Sequence, residues 1–201
     1  VVLDPIVFKK EADALARYNL DLHRNLFISK KAALIIPTHR LLDAAYEQDK
    51  GAQKIGSTLR GIGPAYADKT ARQGLRVGDI LSPHFADKYR RLRDTHATIL
   101  RHHGFAYELA EAEADFFTCV EFLKAFNLVD SEYLLNEALQ NQQPILAEGA
   151  QGSLLDIDFG SYPFVTSSTT MAAGACTGLG VAPRRLGEVF GIFKAYCTRV
   201  G

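Results

Sequence analysis

One amide side chain and a cluster of hydroxyl groups are the first candidates for a binding or catalytic role in this chain. Gln151 follows a short apolar run and a turn of small residues, and Thr166 opens the sequence Thr-Ser-Ser-Thr-Thr. Amide and hydroxyl groups beside small residues can converge on phosphate oxygens without steric obstruction. The pattern favours a phosphate or nucleotide site, with a buried strand and a plain polar loop as the alternative.

A glycine-rich loop at residues 55–63 is the second candidate. It contains Thr58 and leads through Pro64 into a predicted helix that runs past Arg72 to Gly74. A loop that opens a helix amino-terminus is a ready anion site, because the free backbone N–H groups point outwards. A plain tight turn is the alternative for this loop.

Two further sets of residues could take part in chemistry. Asp156 and Asp158 alternate with apolar residues and are possible catalytic carboxylates at first sight. His102 and His103 are adjacent on a predicted helix, so their side chains point about 100° apart and suit a joint metal site poorly. A solvated helix end is the favoured interpretation of this histidine pair.

Composition limits the classes of protein to which the chain can belong. The 201 residues, 47% of them hydrophobic, suffice for a substantial core in one domain or one and a half. Lys plus Arg and Asp plus Glu are equal at 23 each, so no bulk charge indicates nucleic acid or an anionic membrane. Three cysteines without metal-like spacing, and no apolar run of bilayer length, favour a reduced, cytoplasmic protein.

Hydrophobic periodicity predicts the helices and strands that carry these residues. Asp4 and Pro5 predict a helix start, and apolar runs predict strands near residues 26–28 and 32–36, after Pro144, and over 188–196. Residues 82–143 predict three helices without strands, interpreted as a helical insertion between two parts of a sheet. The fold class predicted is α/β with a central, mostly parallel sheet. Both termini of the chain look truncated, so we expect a fragment whose sheet is incomplete at both ends.

Several stretches together resemble adenylosuccinate synthetase, in order and over essentially all of residues 1–201. They are Ser57–Lys69, Arg72–Asp79, Glu148–Ser168, Cys176–Gly178 and Lys194–Gly201. The resemblance implies a P-loop NTPase-like fold and a homodimeric enzyme that joins IMP and L-aspartate with GTP and Mg²⁺. It implies transfer of the GTP γ-phosphoryl group to the 6-oxygen of IMP, followed by displacement of that phosphate by the aspartate amine.

The resemblance also assigns roles by motif. Thr58 and Thr166 correspond to threonines that contact the IMP phosphate, and Val200 to a valine beside the ribose. Arg72 corresponds to an arginine that reaches across the homodimer to the partner's IMP phosphate. Gln151 corresponds to the glutamine near the 6-oxygen, where an amide can stabilise the developing phosphoryl group. With these roles filled, Asp156 and Asp158 are expected to be structural.

The chain departs from the family pattern at four positions. Leu59 stands where glycine is common, Thr169 replaces an asparagine, and Met171 and Ala173 replace a threonine and a glycine. We read these as lineage variation, although they leave the backbone at Leu59 and the 166–174 loop open. The family's amino-terminal phosphate loop and its downstream aspartate- and guanine-binding residues, which hold GTP and Mg²⁺, have no counterpart here. We therefore expect residues 1–201 alone to be inactive, and a non-catalytic IMP-binding or dimerisation module is the alternative function.

Overall fold

The structure is a computed structural model, and it describes residues 1–51 and 57–196. Its helices are α1 (Pro5–Leu15), α2 (Leu22–Asn25), α3 (Pro37–Asp49), α4 (Ile62–Ala71), α5 (Phe85–His102), α6 (Ala110–Leu123), α7 (Ser131–Gln140) and α8 (Gly174–Leu179). Its strands are β1 (Val2–Leu3), β2 (Phe27–Ser29), β3 (Ala33–Leu34) and β4 (Asn127–Val129). Short 3-10 helices cover Ala16–Tyr18, Val77–Leu81, Ser153–Leu155 and Pro183–Arg185. The predicted α/β class is confirmed.

Capping determines where the first and third helices begin. The Asp4 carboxylate accepts the backbone N–H groups of Ile6 and Val7, which starts α1 as predicted. α3 begins at Pro37, directly after the extended backbone of Ile36. Proline suits the first helical position, since its missing N–H would have no partner there.

The described strands pair in parallel, as predicted, but they form two small sheets. β1 pairs with β3 in the register Val2↔Ala33, and β2 pairs with β4 in the register Phe27↔Asn127. β4 lies within residues 82–143, where the sequence predicted helices alone, so that part of the prediction is wrong. A run of three residues is too short for periodicity to separate a strand from a helix end.

Val1–Asp130 form one compact unit with a continuous apolar core. Residues from β2, β3, α5 and α6 pack there with the 3-10 helix Val77–Leu81. The core includes Leu34, Ile36, Val77 and Leu123, each at most 1% exposed. A second cluster, of Leu42 and Ala45 from α3 and Leu100 from α5, packs α3 against α5.

Ser131–Gly201 form a second unit, which differs from the prediction. The apolar run after Pro144 and the segment Glu188–Tyr196 were predicted to be buried strands, yet both lie outside any helix or strand. Their side chains are exposed, with Leu146 at 89% and Ile192 at 98%. A strand needs a neighbour to accept its backbone hydrogen bonds, and the described residues of this unit form no strand pair.

Among the helices in residues 1–51 and 57–196, none combines the length and the apolar character needed to span a bilayer.

Candidate functional site

Thr58 lies on an exposed loop whose two sides are anchored to α3. The carboxylate of Asp43 accepts the Ser57 hydroxyl at 2.7 Å through Oδ1 and the Gly61 backbone N–H at 2.9 Å through Oδ2. Asp43 is only 7% exposed. The side chain of Thr58 is left facing solvent between these two anchors, where it can donate to a ligand.

Arg72 lies just beyond α4, where its backbone adopts a left-handed conformation with φ of 63°. Its exposed side chain borders a depression of about 110 Å³ that Lys69 and Arg76 also line. Three cationic side chains around one depression favour an anion such as phosphate. The phosphate role implied for Arg72 stays a prediction.

A buried polar network, which the sequence interpretation did not identify, underlies this part of the unit. Asp68 Oδ2 accepts hydrogen bonds from Nε2 of His39 at 2.8 Å and from Nε2 of His96 at 2.9 Å. Asp68 Oδ1 accepts the side-chain amide of Gln73 at 2.9 Å. The network joins α3, α4 and α5, and both histidines are 0% exposed.

The protonation states in this network follow from its hydrogen bonds. Burial would raise the pKa of Asp68, but the hydrogen bonds from His39, His96 and Gln73 outweigh it and hold the pKa well below its usual range. Burial lowers the pKa of His39, and the hydrogen bond to Asp68 only partly opposes that effect. At neutral pH the network therefore contains an ionised Asp68 and a neutral His39.

The same three residues offer metal-ligand atoms within 4.8 Å of one another, so a metal site is a natural alternative. The second nitrogen of His39 argues against it. Nδ1 accepts the backbone N–H of Ile36 at 2.9 Å, so the ring proton must be on Nε2, which then cannot bind a metal. Mg²⁺ also prefers oxygen ligands to imidazole nitrogen. These residues therefore do not fit the Mg²⁺ that the resemblance implies.

Signals for this network exist in the sequence. His96 lies four residues from both Leu92 and Leu100 on an apolar helical stripe, which predicts that its ring is buried. A buried imidazole needs a polar partner, but periodicity does not identify one 28 residues away. His102 and His103 differ from it: His103 contacts Asp49 near the exposed end of α5.

The second unit places Gln151 at the entrance of a loop that is closed by its own hydrogen bonds. The backbone of Gln151 is left-handed, with φ of 63°, and its side chain is exposed. The Thr170 hydroxyl donates to the Gly152 carbonyl at 2.8 Å, which brings the two ends of the loop together. Gln151 thus follows an irregular segment rather than the strand predicted before it.

Asp156 holds this loop from the inside. Its Oδ1 accepts the N–H groups of Asp158 and Phe159, and its Oδ2 accepts those of Thr170 and Met171. The hydrogen bond from Phe159 is the largest cause of the lowered pKa of Asp156, which is about 2. The other three hydrogen bonds lower this pKa further, whereas burial acts to raise it. The expectation that Asp156 is structural agrees with this geometry.

Thr166 is fixed in the same loop. Its backbone N–H donates to the Leu155 carbonyl at 2.8 Å, and its side chain is half-buried. Gly160 makes the loop possible, because a Cβ there would lie 2.4 Å from the Asp156 carbonyl oxygen. Gln151 and Thr166 thus belong to one closed loop, while Thr58 and Arg72 belong to one segment of the first unit. Val200 lies outside the described residues.

Leu59, which stands where glycine is common in the family, has an unusual backbone conformation. Leu59 has a φ of 55°, in the left-handed region that glycine enters at little cost. Its side chain is 50% exposed, so the leucine adopts this conformation without filling a buried space. A glycine at this position could adopt the same backbone conformation.

The comparisons with known proteins agree among themselves. The adenylosuccinate synthetase family model matches residues 1–201. The adenylosuccinate synthetase of Cytophaga hutchinsonii is 66% identical over 100% of this chain and 47% of its own length. That of Flavobacterium psychrophilum is 60% identical, over 100% of this chain and 48% of its own length.

A solved structure gives the same result. The chain is similar to the fully ligated adenylosuccinate synthetase of Plasmodium falciparum, with a TM-score of 0.86 and 32% identity over 100% of this chain and 46% of the other. The chain spans about half the length of the curated relatives it matches. The family match, the identities and the shared fold together establish that this chain belongs to the adenylosuccinate synthetase family.

Proposed function

We propose that the natural polypeptide containing residues 1–201 is a GTP-dependent IMP–aspartate ligase of purine biosynthesis. The observation that carries this proposal is the 66% identity to a curated adenylosuccinate synthetase across the whole of this chain. The γ-phosphoryl group of GTP is transferred to the 6-oxygen of IMP, giving GDP and 6-phosphoryl-IMP. The aspartate amine then attacks C6, the C6–O bond breaks, and inorganic phosphate leaves.

Residues of this chain bind IMP in the proposed reaction. Thr58 and Thr166 hold the 5′-phosphate, Val200 lies beside the ribose, and the Gln151 amide hydrogen-bonds the 6-oxygen as the phosphoryl group develops there. The protein acts as a cytoplasmic homodimer in which Arg72 reaches the partner's IMP. Mg²⁺ neutralises phosphate charge when bound, and groups beyond this chain hold it together with GTP and aspartate.

The solvent-facing positions of Thr58, Arg72 and Gln151 support these roles, since ligand-binding side chains must be accessible. The cationic depression beside Arg72 supports a phosphate contact there. The balanced overall charge does not favour nucleic acid as a partner.

Gln151→Ala in the natural polypeptide tests the catalytic role. We expect kcat for adenylosuccinate formation from IMP, aspartate and GTP to fall about 10²-fold, because a donor to the developing oxyanion is lost. Gln143→Ala, an exposed glutamine of the same unit, is the matched control and should leave kcat unchanged. Equal rates for the Gln151 variant and the parent would contradict the assignment.

The 201-residue chain alone should release no phosphate from GTP in the presence of IMP and aspartate, because catalysis needs the remaining groups in position. Turnover above background would overturn that expectation. The alternative, a non-catalytic IMP-binding or dimerisation module, predicts that the natural polypeptide also lacks turnover while calorimetric titration still detects IMP binding.

A further inference from the structure

The segment 57–72 has two exposed side chains at its ends, Thr58 and Arg72, which the proposed function assigns to phosphate binding. An exposed side chain has little packing of its own to fix its direction. Its placement therefore depends on how the backbone beneath it is held. Both ends of this segment are held by the same helix, α3.

The first anchor is Asp43 of α3. Its two carboxylate oxygens accept separate donors, the Ser57 hydroxyl at 2.7 Å and the Gly61 N–H at 2.9 Å. These donors lie on either side of Thr58 in the sequence. A bidentate acceptor of this kind fixes both the distance and the rotation of the loop relative to the helix.

Direct contact strengthens this anchor. Gly61 has a φ of 74°, and a Cβ placed on it would lie 2.8 Å from the Cβ of His39 and 2.9 Å from the backbone nitrogen of Arg40. The loop backbone therefore lies directly against the first turns of α3. Any side chain at position 61 would push the loop off the helix and break the bond to Asp43.

The second anchor begins at His39, one turn before Asp43 on α3. His39 Nε2 donates to Asp68 Oδ2, and the backbone carbonyl of Asp68 accepts the N–H groups of Gln73 at 3.0 Å and Gly74 at 3.1 Å. These bonds close the turn in which Arg72 takes its left-handed conformation. The buried network therefore determines where the backbone of Arg72 lies.

We propose that Asp43 and His39 are positioning residues, which act from α3 to hold Thr58 against the IMP phosphate of its own protomer and Arg72 against that of the partner. The proposal rests on the proposed function, because it concerns the phosphate contacts assigned there. Neither residue needs to touch the substrate. Asp43 is the sharper test of the two, since its bonds go directly to the loop.

The experiment compares Asp43→Ala, Asp43→Asn and Asp49→Ala in the natural polypeptide by steady-state kinetics with IMP varied. Asp43→Ala should raise the KM for IMP about tenfold or more with kcat nearly unchanged, because phosphate binding remote from the reacting 6-oxygen is lost. Asp43→Asn should recover most of the loss, since its amide oxygen can accept from Gly61 while its NH₂ donates to the Ser57 hydroxyl. Asp49→Ala, an exposed carboxylate on the same helix, should leave KM unchanged.

A kcat loss with unchanged KM, an equal effect of Asp49→Ala, or no effect of Asp43→Ala would each overturn the proposal. If Asp43→Ala does not fold, Ser57→Ala removes one of the same bonds from the loop side and should raise KM in the same direction by a smaller factor. An unchanged KM in that variant would count against the proposal equally.

Hydrogen exchange separates this proposal from the proposed function. In Asp43→Ala the amide of Gly61 should exchange at least about tenfold faster than in the parent, and Asp49→Ala should leave that rate unchanged. If the parent makes no adenylosuccinate and the exchange rate still rises, the proposed function fails while the anchor stands. If the exchange rate does not change, the anchor fails whatever the activity.

Discussion

The two units of the chain hold their candidate site residues by different means. In Val1–Asp130, apolar clusters hold α3, α5 and α6, and a buried polar network joins α3, α4 and α5. Among the described residues of Ser131–Gly201, only Asp156 and Val181 are buried. The Gln151 loop is therefore held by hydrogen bonds, four of them to one carboxylate, whereas the Thr58 and Arg72 segment rests on packed helices.

The local shape of a loop is therefore separable from hydrophobic burial within one chain. A carboxylate that accepts four backbone N–H groups can define a loop with little apolar surface buried around it. The two units should therefore respond differently to loss of apolar volume and to acid.

Removing apolar volume should have the largest effect. In the 201-residue chain, Leu34→Ala should lower the free energy of unfolding by about 3 kcal/mol, because Leu34 is 1% exposed in the core and its truncation leaves a cavity. Ile192→Ala, at a side chain 98% exposed, should change it by less than about 0.5 kcal/mol. Denaturant titration measures both, and a large loss from Ile192→Ala would mean that the units do not differ in this respect.

Acidification should have the next largest effect, and the two units should lose stability over different pH ranges. The pKa of His39 is lowered from its ordinary 6.5 in the folded state, so unfolding takes up a proton below that pH. The stabilising contribution is complete above about pH 6.5 and decreases as the pH falls. Melting curves at pH 7.5 and 5.5 should therefore show a smaller acid-induced loss in His39→Asn than in the parent, although the variant is less stable at pH 7.5.

In the second unit, Asp156 should lose its stabilising effect at a lower pH than His39 does in the first. Because the pKa of Asp156 is lowered to about 2 from 3.8, its contribution is complete above about pH 4 and is lost only as the pH falls through about 2. The Phe159 amide resonance should accordingly titrate with a midpoint near pH 2. A midpoint near the ordinary value would show that the carboxylate does not hold the loop.

The smallest effect is expected at Leu59. A left-handed leucine costs about 1–2 kcal/mol, and glycine recovers this at a loss of about 0.5–1 kcal/mol in chain entropy. Leu59→Gly should therefore stabilise the chain by about 0.5–1 kcal/mol in denaturant titrations. Leu59→Ala keeps the Cβ and the strain, and should be close to neutral.

Local chemistry made part of the fold predictable. The capping pair Asp4 and Pro5 and the helices expected within residues 82–143, among them α5 and α6, have local signals that the structure bears out. The strands expected after Pro144 and over 188–196 were wrong, because an apolar run does not reveal whether a neighbouring strand is there to pair with it.

The candidate site residues were also predictable only in part. The motif resemblance predicted Thr58, Arg72, Gln151 and Thr166 as site residues, and their roles stay predictions. The groups that hold them were missed, because Asp43 and His39 act on residues that are 14 to 29 positions distant in the sequence. Those pairings depend on how α3 packs against α4, which no local pattern encodes.

The exposed segment Glu188–Tyr196 has a consequence for how the 201-residue chain behaves at high concentration. It combines Val189, Phe190, Ile192 and Phe193, each at least 67% exposed, with Lys194 as the single positive charge. Such a segment has the composition that templates intermolecular strand pairing and aggregation. Self-association by this route would make solubility, rather than folding of the first unit, the property that restricts the usable concentration of this polypeptide.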